Sequence, residues 1–178
     1  MNARDRLQPA LLDRLMTETS GRAAESPDAR LHITRAELRA AVLRDLGWLL
    51  NSVQGLGEKE VIAYPEAARS VLNYGLPALS GKAASRVDVT HLERAIRQAI
   101  ETFEPRVLRD SLSVQALESD DVLGSHNVIE FEIRGLLWAQ PMPLELLLRT
   151  QLDLEVGQVR VHDLLGAGVA RQTDARGG

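Results

Sequence analysis

Residues 99–108 read AIETFEPRVL, and the hydrophobic period of the chain changes inside them. Upstream, Val89, Leu92, Ile96, Ala99, Ile100 and Phe103 recur at helical spacing and make one apolar stripe. Pro105 disfavours a helical conformation at Glu104, so the helix is expected to stop at FEPR, 103–106. Downstream the period is two. In SLSVQAL (111–117) Leu112, Val114 and Ala116 share a face. In NVIEFEIRG (127–135) Ile129, Phe131 and Ile133 alternate with Glu130, Glu132 and Arg134. After the PMP turn (141–143), Leu144, Leu146, Leu148, Leu152, Leu154 and Val156 continue the alternation against Glu145, Arg149, Gln151, Asp153 and Glu155. Helices first and strands second predict an α+β fold: N-terminal helices packed on a small antiparallel meander of about three strands, one face covered.

Working back toward the N-terminus, Thr90 and Glu93 have the spacing of a capping box, and so do Thr34 and Glu37 ahead of a helix ending near Leu50 and Asn51. That helix repeats Leu38, Val42, Asp45 or Leu46, and Leu49. Between the two helices, NSVQGLGEKE (51–60) reads as a loop, and PEAARSVLNYG (65–75) as a short helix opened by Pro65 and closed by Gly75. Leu7–Met16 reads as a short amphipathic helix, followed by a polar stretch at 17–30. The domain division expected is therefore an N-terminal helix and mobile linker over 1–30, a folded domain over 31–161 and a disordered tail over 162–178.

Composition narrows the function classes. The apolar fraction of 44% is that of a globular protein, and the net charge of −4 comes without the basic stripe of a nucleic-acid binder. No cysteine ties the fold to an oxidising compartment, and no apolar run approaches the roughly 18 residues of a membrane span. His32, His91, His126 and His162 are dispersed, so no metal site is expected, and no cofactor either. GLPALSGKAAS (75–85) resembles a phosphate-binding loop but fails on spacing. It also has Ala83 where a magnesium-ligating hydroxyl belongs, and reads as a surface loop.

The carboxylates Glu101 and Glu104 are the one enzymatic candidate. Three residues apart on a helix, they lie roughly 5–6 Å from each other, near the separation a retaining glycosidase uses. Glu101 falls about 140° from the centre of the apolar stripe, however, and is expected in solvent, where nothing raises a carboxyl pKa. Aromatics make up only 3% of the chain, and the two tryptophans are taken up elsewhere, Trp48 in a helix and Trp138 at the end of a strand run. Catalysis is therefore not expected, and a lysozyme-like peptidoglycan hydrolase stands only as the alternative. Glu104 and Arg106 then remain as ions flanking a rigid proline. Residues two apart in an extended segment point to one side. The spacing leaves a local ion pair and a clamp for a partner's charges equally open.

Four stretches carry a family resemblance: LRDLGWLLNS (43–52), SVLNYGLPALSG (70–81), AIETFEPRVL (99–108) and the long NVIEFEIRGLLWAQPMPLELLLRTQLDLEVG (127–157). In that order they resemble the TssE family, sheath-initiating baseplate subunits of bacterial type VI secretion systems, similar to a wedge protein of contractile phage tails. The resemblance spans about Leu7 to Val161 and departs at Arg109-Asp110, where a Pro-containing turn is expected. It implies a non-enzymatic, cytoplasmic structural protein, about one copy per wedge of a six-fold baseplate docked at an inner-membrane complex. It implies Glu104, Pro105 and Arg106 as partner-binding residues for the wedge subunits TssF and TssG, with TssK in the larger baseplate. It further implies a sheet that accepts strands from the first sheath ring, TssB–TssC.

Overall fold

A computed structural model describes residues 10–13, 33–78, 88–117 and 128–165. The sequence expectations for the linker at 17–30, for the tail at 162–178 beyond Leu165 and for the surface loop at 75–85 beyond Ala78 lie outside the described residues, as does all but the turn Leu11–Asp13 of the N-terminal helix.

Helix α1 (Arg35–Leu50) begins as its sequence dictates. The Thr34 hydroxyl accepts from the Glu37 N–H while the Glu37 carboxylate accepts from the Thr34 N–H, so the capping box is complete. Two short helices follow, α2 (Glu58–Ala63) and α3 (Pro65–Ala68), then a 3-10 turn at Val71–Asn73. The expected loop at 51–60 therefore ends in a helix, and the expected helix at 65–75 breaks after one turn. There Ser70 caps the following turn through its hydroxyl, a local bond that competes with continuing the helix. Gly75 has φ +121, and a Cβ there would lie 2.3 Å from the Ser52 carbonyl oxygen. Only glycine allows Leu76 to bridge back to the end of α1.

Helix α4 (Val89–Phe103) starts two residues earlier than its Thr90–Glu93 pattern suggests. Asp88 is the cap and accepts from the His91 N–H. Glu93 is thereby free to reach the sheet, where its carboxylate accepts from the Ala116 N–H at 2.6 Å.

The sheet is an antiparallel meander in chain order: β1 (Ser113–Leu117), β2 (Val128–Leu137), β3 (Leu144–Asp153) and β4 (Gln158–Asp163). Four strands replace the expected three or so. The alternation of Leu144 to Val156 is broken by a turn at Leu154–Gly157, where Leu154 stays buried and Val156 is exposed. Phe131, Ile133 and Leu137 from β2 and Leu146, Leu148 and Leu152 from β3 face Leu38, Val42, Leu46 and Leu49 of α1 and Leu92, Ile96, Ala99 and Ile100 of α4. Each such side chain contributes about 1.5–3 kcal/mol by leaving water. Thr150, the polar residue in the inward phase of β3, is buried and donates its hydroxyl to the Phe131 carbonyl. The other face of the sheet is charged and open, as an antiparallel sheet permits.

Both outer edges carry a side-chain cap. Glu93 takes the Ala116 amide of β1. On β4, Asn51 pairs like a neighbouring strand: its Nδ2 donates to the Val159 carbonyl and its Oδ1 accepts from the Val159 N–H, both at 2.9 Å. At the far end of α1, Arg39 donates to both oxygens of Asp163 at 2.5 and 2.6 Å. Asn51→Ala leaves both Val159 groups to water and is expected to cost about 1–2 kcal/mol. Denaturant unfolding measures that loss, and amide exchange at Val159 should accelerate while exchange at Phe131 follows global stability alone.

Candidate functional site

The FEPR corner forms because α4 runs out of helix where the sheet begins. Glu104 is the C-cap residue, with its N–H still bonded to the Ile100 carbonyl at 2.9 Å. Pro105 then turns the chain, the Val107 N–H bonds back to the Glu104 carbonyl, and the segment lies along the end of β2. The Leu108 N–H meets the Leu136 carbonyl at 2.8 Å and the Trp138 N–H meets the Arg106 carbonyl at 2.7 Å. Arg109–Ser111 close this stretch as a 3-10 turn, where the resemblance led to the expectation of a Pro-containing turn.

Within this frame the charges converge. The Arg106 guanidinium donates to Glu104 Oε1 from Nε at 2.7 Å and to Oε2 from Nη2 at 2.5 Å, a bidentate pair, and its backbone N–H also donates to Oε1. The same Nη2 donates to Asp45 Oδ2 on α1 at 2.5 Å. Asp45 accepts in turn from Arg44 on its other oxygen, and Arg44 reaches Asp13 at 2.6 Å. The result is an alternating chain of acids and bases from Asp13 to Glu104. Glu104 is 3% exposed, so its carboxylate faces Arg106 and not solvent. Burial alone would lower the Arg106 pKa; the hydrogen bonds and charge of Glu104, then those of Asp45, outweigh it and hold the guanidinium above its ordinary value. Tyr74, edge-on to Phe103 at 5.2 Å, has its hydroxyl pKa raised by burial first and by the Asp45 and Glu104 charges second.

The two sequence candidates for catalysis are not brought together as a pair. Glu104 is held by Arg106, whereas Glu101 is half-buried and bonded to Arg97 one turn earlier at 2.7 Å. The structure instead gathers residues the sequence had dispersed. A cleft of about 530 Å³ is walled by Asp45, Trp48, Leu49, Tyr74, Phe103 and Pro105. Trp48 is 50% exposed and lies under the Arg44 guanidinium at 5.1 Å; Trp138, bonded through its backbone to Arg106, is 53% exposed. The sequence placed each tryptophan on its element but not at this corner. One signal was available: Trp48 follows Asp45 by three residues, which on a helix puts both on one side. A second cleft of about 750 Å³, between the outer side of α4 and residues 54–78, has no comparable convergence of paired ions among the described residues.

Removing one partner of the corner leaves a charge half-buried without its complement. Glu104→Ala is expected to cost about 2–3 kcal/mol, below the range for fully enclosed pairs because Arg106 keeps some solvent and Asp45. Chemical denaturation checks it, and a loss under about 1 kcal/mol would contradict the role assigned to the pair.

A family model described as baseplate wedge protein gp25 matches residues 36–142, more than half of the chain, from the first turn of α1 to the turn after β2. No curated protein and no solved structure matches. The matched span takes in nearly all of α1, the whole of α4, the FEPR corner and the strand the corner is stitched to. On that span, the chain belongs to the baseplate wedge protein gp25 family.

Proposed function

We propose that the chain is a TssE-like subunit of a bacterial type VI secretion baseplate, an assembly protein that docks on the wedge subunits TssF and TssG, with TssK beyond them, and starts the TssB–TssC sheath in the cytoplasm. One observation carries the docking part. The corner satisfies its charges internally and so holds a rigid turn against solvent, with Pro105, Trp48 and Trp138 outermost. Half-exposed tryptophans beside an arginine are the residues that dominate binding energy at protein interfaces. In this reading Glu104 and Arg106 position the surface, and Pro105 and the tryptophans touch the partner.

The sheet supports the sheath part. Val159 and Ala116 offer their N–H groups away from the neighbouring strand, so by alternation Val161 on β4 and Val114 on β1 do too. Among the described residues neither Val161 nor Val114 has a side-chain cap, and an extended segment of sheath protein can add there through main-chain bonds.

Arg106→Glu would set three carboxylates together and would test folding more than docking. Trp48→Ala and Pro105→Arg are the better variants. Each should keep its circular dichroism and unfolding transition while losing co-purification of wedge subunits from cells that make the whole apparatus. Retained capture by both would remove the docking assignment. For the sheath, proline at Val161 or Val114 deletes an outward N–H without breaking the ladder. A folded variant that abolishes sheaths identifies the accepting edge, and normal sheaths in both would refute strand addition.

A further inference from the structure

The outward face of the sheet carries its charges unevenly. Register places Arg134 opposite Leu147, Arg149 opposite His162 and Arg160 opposite Gln151. Arg149 is therefore the diagonal neighbour of Arg134 on one side and of Arg160 on the other. The three arginines run in a line across β2, β3 and β4, successive members about 7–8 Å apart.

The acids beside this line are committed to its β2 side. Glu132 stands directly opposite Arg149, yet its carboxylate accepts from Arg134 Nε at 2.5 Å along its own strand. Glu130 accepts from Gln151 Nε2 at 2.7 Å. Gln151 in turn occupies the position between Arg149 and Arg160 where an acid would neutralise both. The guanidinium groups of Arg149 and Arg160 are exposed and make no ion pair or hydrogen bond with the described residues. Two like charges are thus left as neighbours on the β3–β4 half of the face, in a chain whose net charge is −4. A partner's acids would complete what the sheet leaves unmatched.

Spacing selects the form of that partner. Acids at alternate positions of an extended chain lie about 6.5–7 Å apart, close to the step of the arginine line. Each guanidinium fork can then take one carboxylate through both oxygens. A phosphodiester backbone fits less well. Glu130, Glu132, Glu145 and Asp153 share the face, and no outward position of the four strands holds a Phe, Tyr or Trp on which a base could stack.

We propose that the outward sheet face docks an acidic segment of a partner protein, laid on it in extended form, with carboxylates at alternate positions reaching Arg149 and Arg160 and the line continuing to Arg134. This surface is separate from the FEPR corner and does not rest on the docking or sheath readings above.

The test titrates the full chain against a fluorescein-labelled peptide of alternating glutamate and threonine. Anisotropy is read at about 0.05 M salt, where exposed charges are little screened. Wild type should bind with a Kd below about 1 mM, and the same peptide with glutamine for glutamate should not bind. Arg149→Thr with Arg160→Thr keeps residues suited to strands and should weaken binding about three- to tenfold with the unfolding transition unchanged. Lys59→Gln with Arg69→Gln removes two positive charges from exposed positions on α2 and just after α3, and should bind as wild type does. Absence of binding by wild type overturns the proposal, and so does equal binding of the glutamine peptide. An equal loss in both pairs of variants overturns it too, because net charge alone then accounts for the binding. An oligothymidylate of the same charge that binds more tightly than the glutamate peptide, and depends on the same two arginines, overturns the assignment to a protein partner in favour of a nucleic acid.

Discussion

The guanidinium of Arg106 ties separate parts of the chain together at one point. It bonds both oxygens of Glu104 at the end of α4 and one of Asp45 on α1. Its own backbone carbonyl receives the Trp138 amide at the end of β2. Helix, helix and sheet meet at one planar cation. Arginine suits this position because its donors are arrayed in a rigid fork, where a lysine would offer a point charge with no preferred plane. The cost of taking Glu104 out of water is offset by three hydrogen bonds to that carboxylate and by the second acid, Asp45.

This arrangement explains why the corner is better suited to fixing a shape than to chemistry. A general acid needs a carboxyl oxygen open to the bond it would protonate, and both oxygens of Glu104 are bonded to Arg106 beneath the surface. What the network supplies is stiffness. Pro105 is restrained by its ring and by bonded residues on both sides, so little conformational freedom remains to be lost when another surface meets it.

Much of the architecture was legible because the period of the apolar residues changes once, at FEPR. The stripe from Leu92 to Phe103 and the alternation from Ile129 to Ile133 depend only on residue order, and both occur as the spacing indicates. The fourth strand was not legible, because Leu154 and Val156 keep the two-residue rhythm straight through a turn, and only burial distinguishes them. The Thr90–Glu93 pattern was misleading for a physical reason: Glu93 bonds a strand 23 residues away, a competitor that local spacing cannot register. The site divided in the same way. Glu104, Pro105 and Arg106 are contiguous and could be read together. Asp45 lies 61 residues from Arg106 and joins it only through the packing of α1 on α4.

The ties between α1 and β4 have a consequence in time. Arg39 and Asp163 are 124 residues apart, and Asn51 and Val159 are 108 apart. At a synthesis rate of roughly 5–20 residues per second, α1 leaves the ribosome about 5–25 s before the strand it is stitched to. For most of that interval its leucines lack the strands β2 and β3 that cover them. The domain is thus built to close in a single late step, and a nascent chain of this kind depends on whatever shields an amphipathic helix in the meantime.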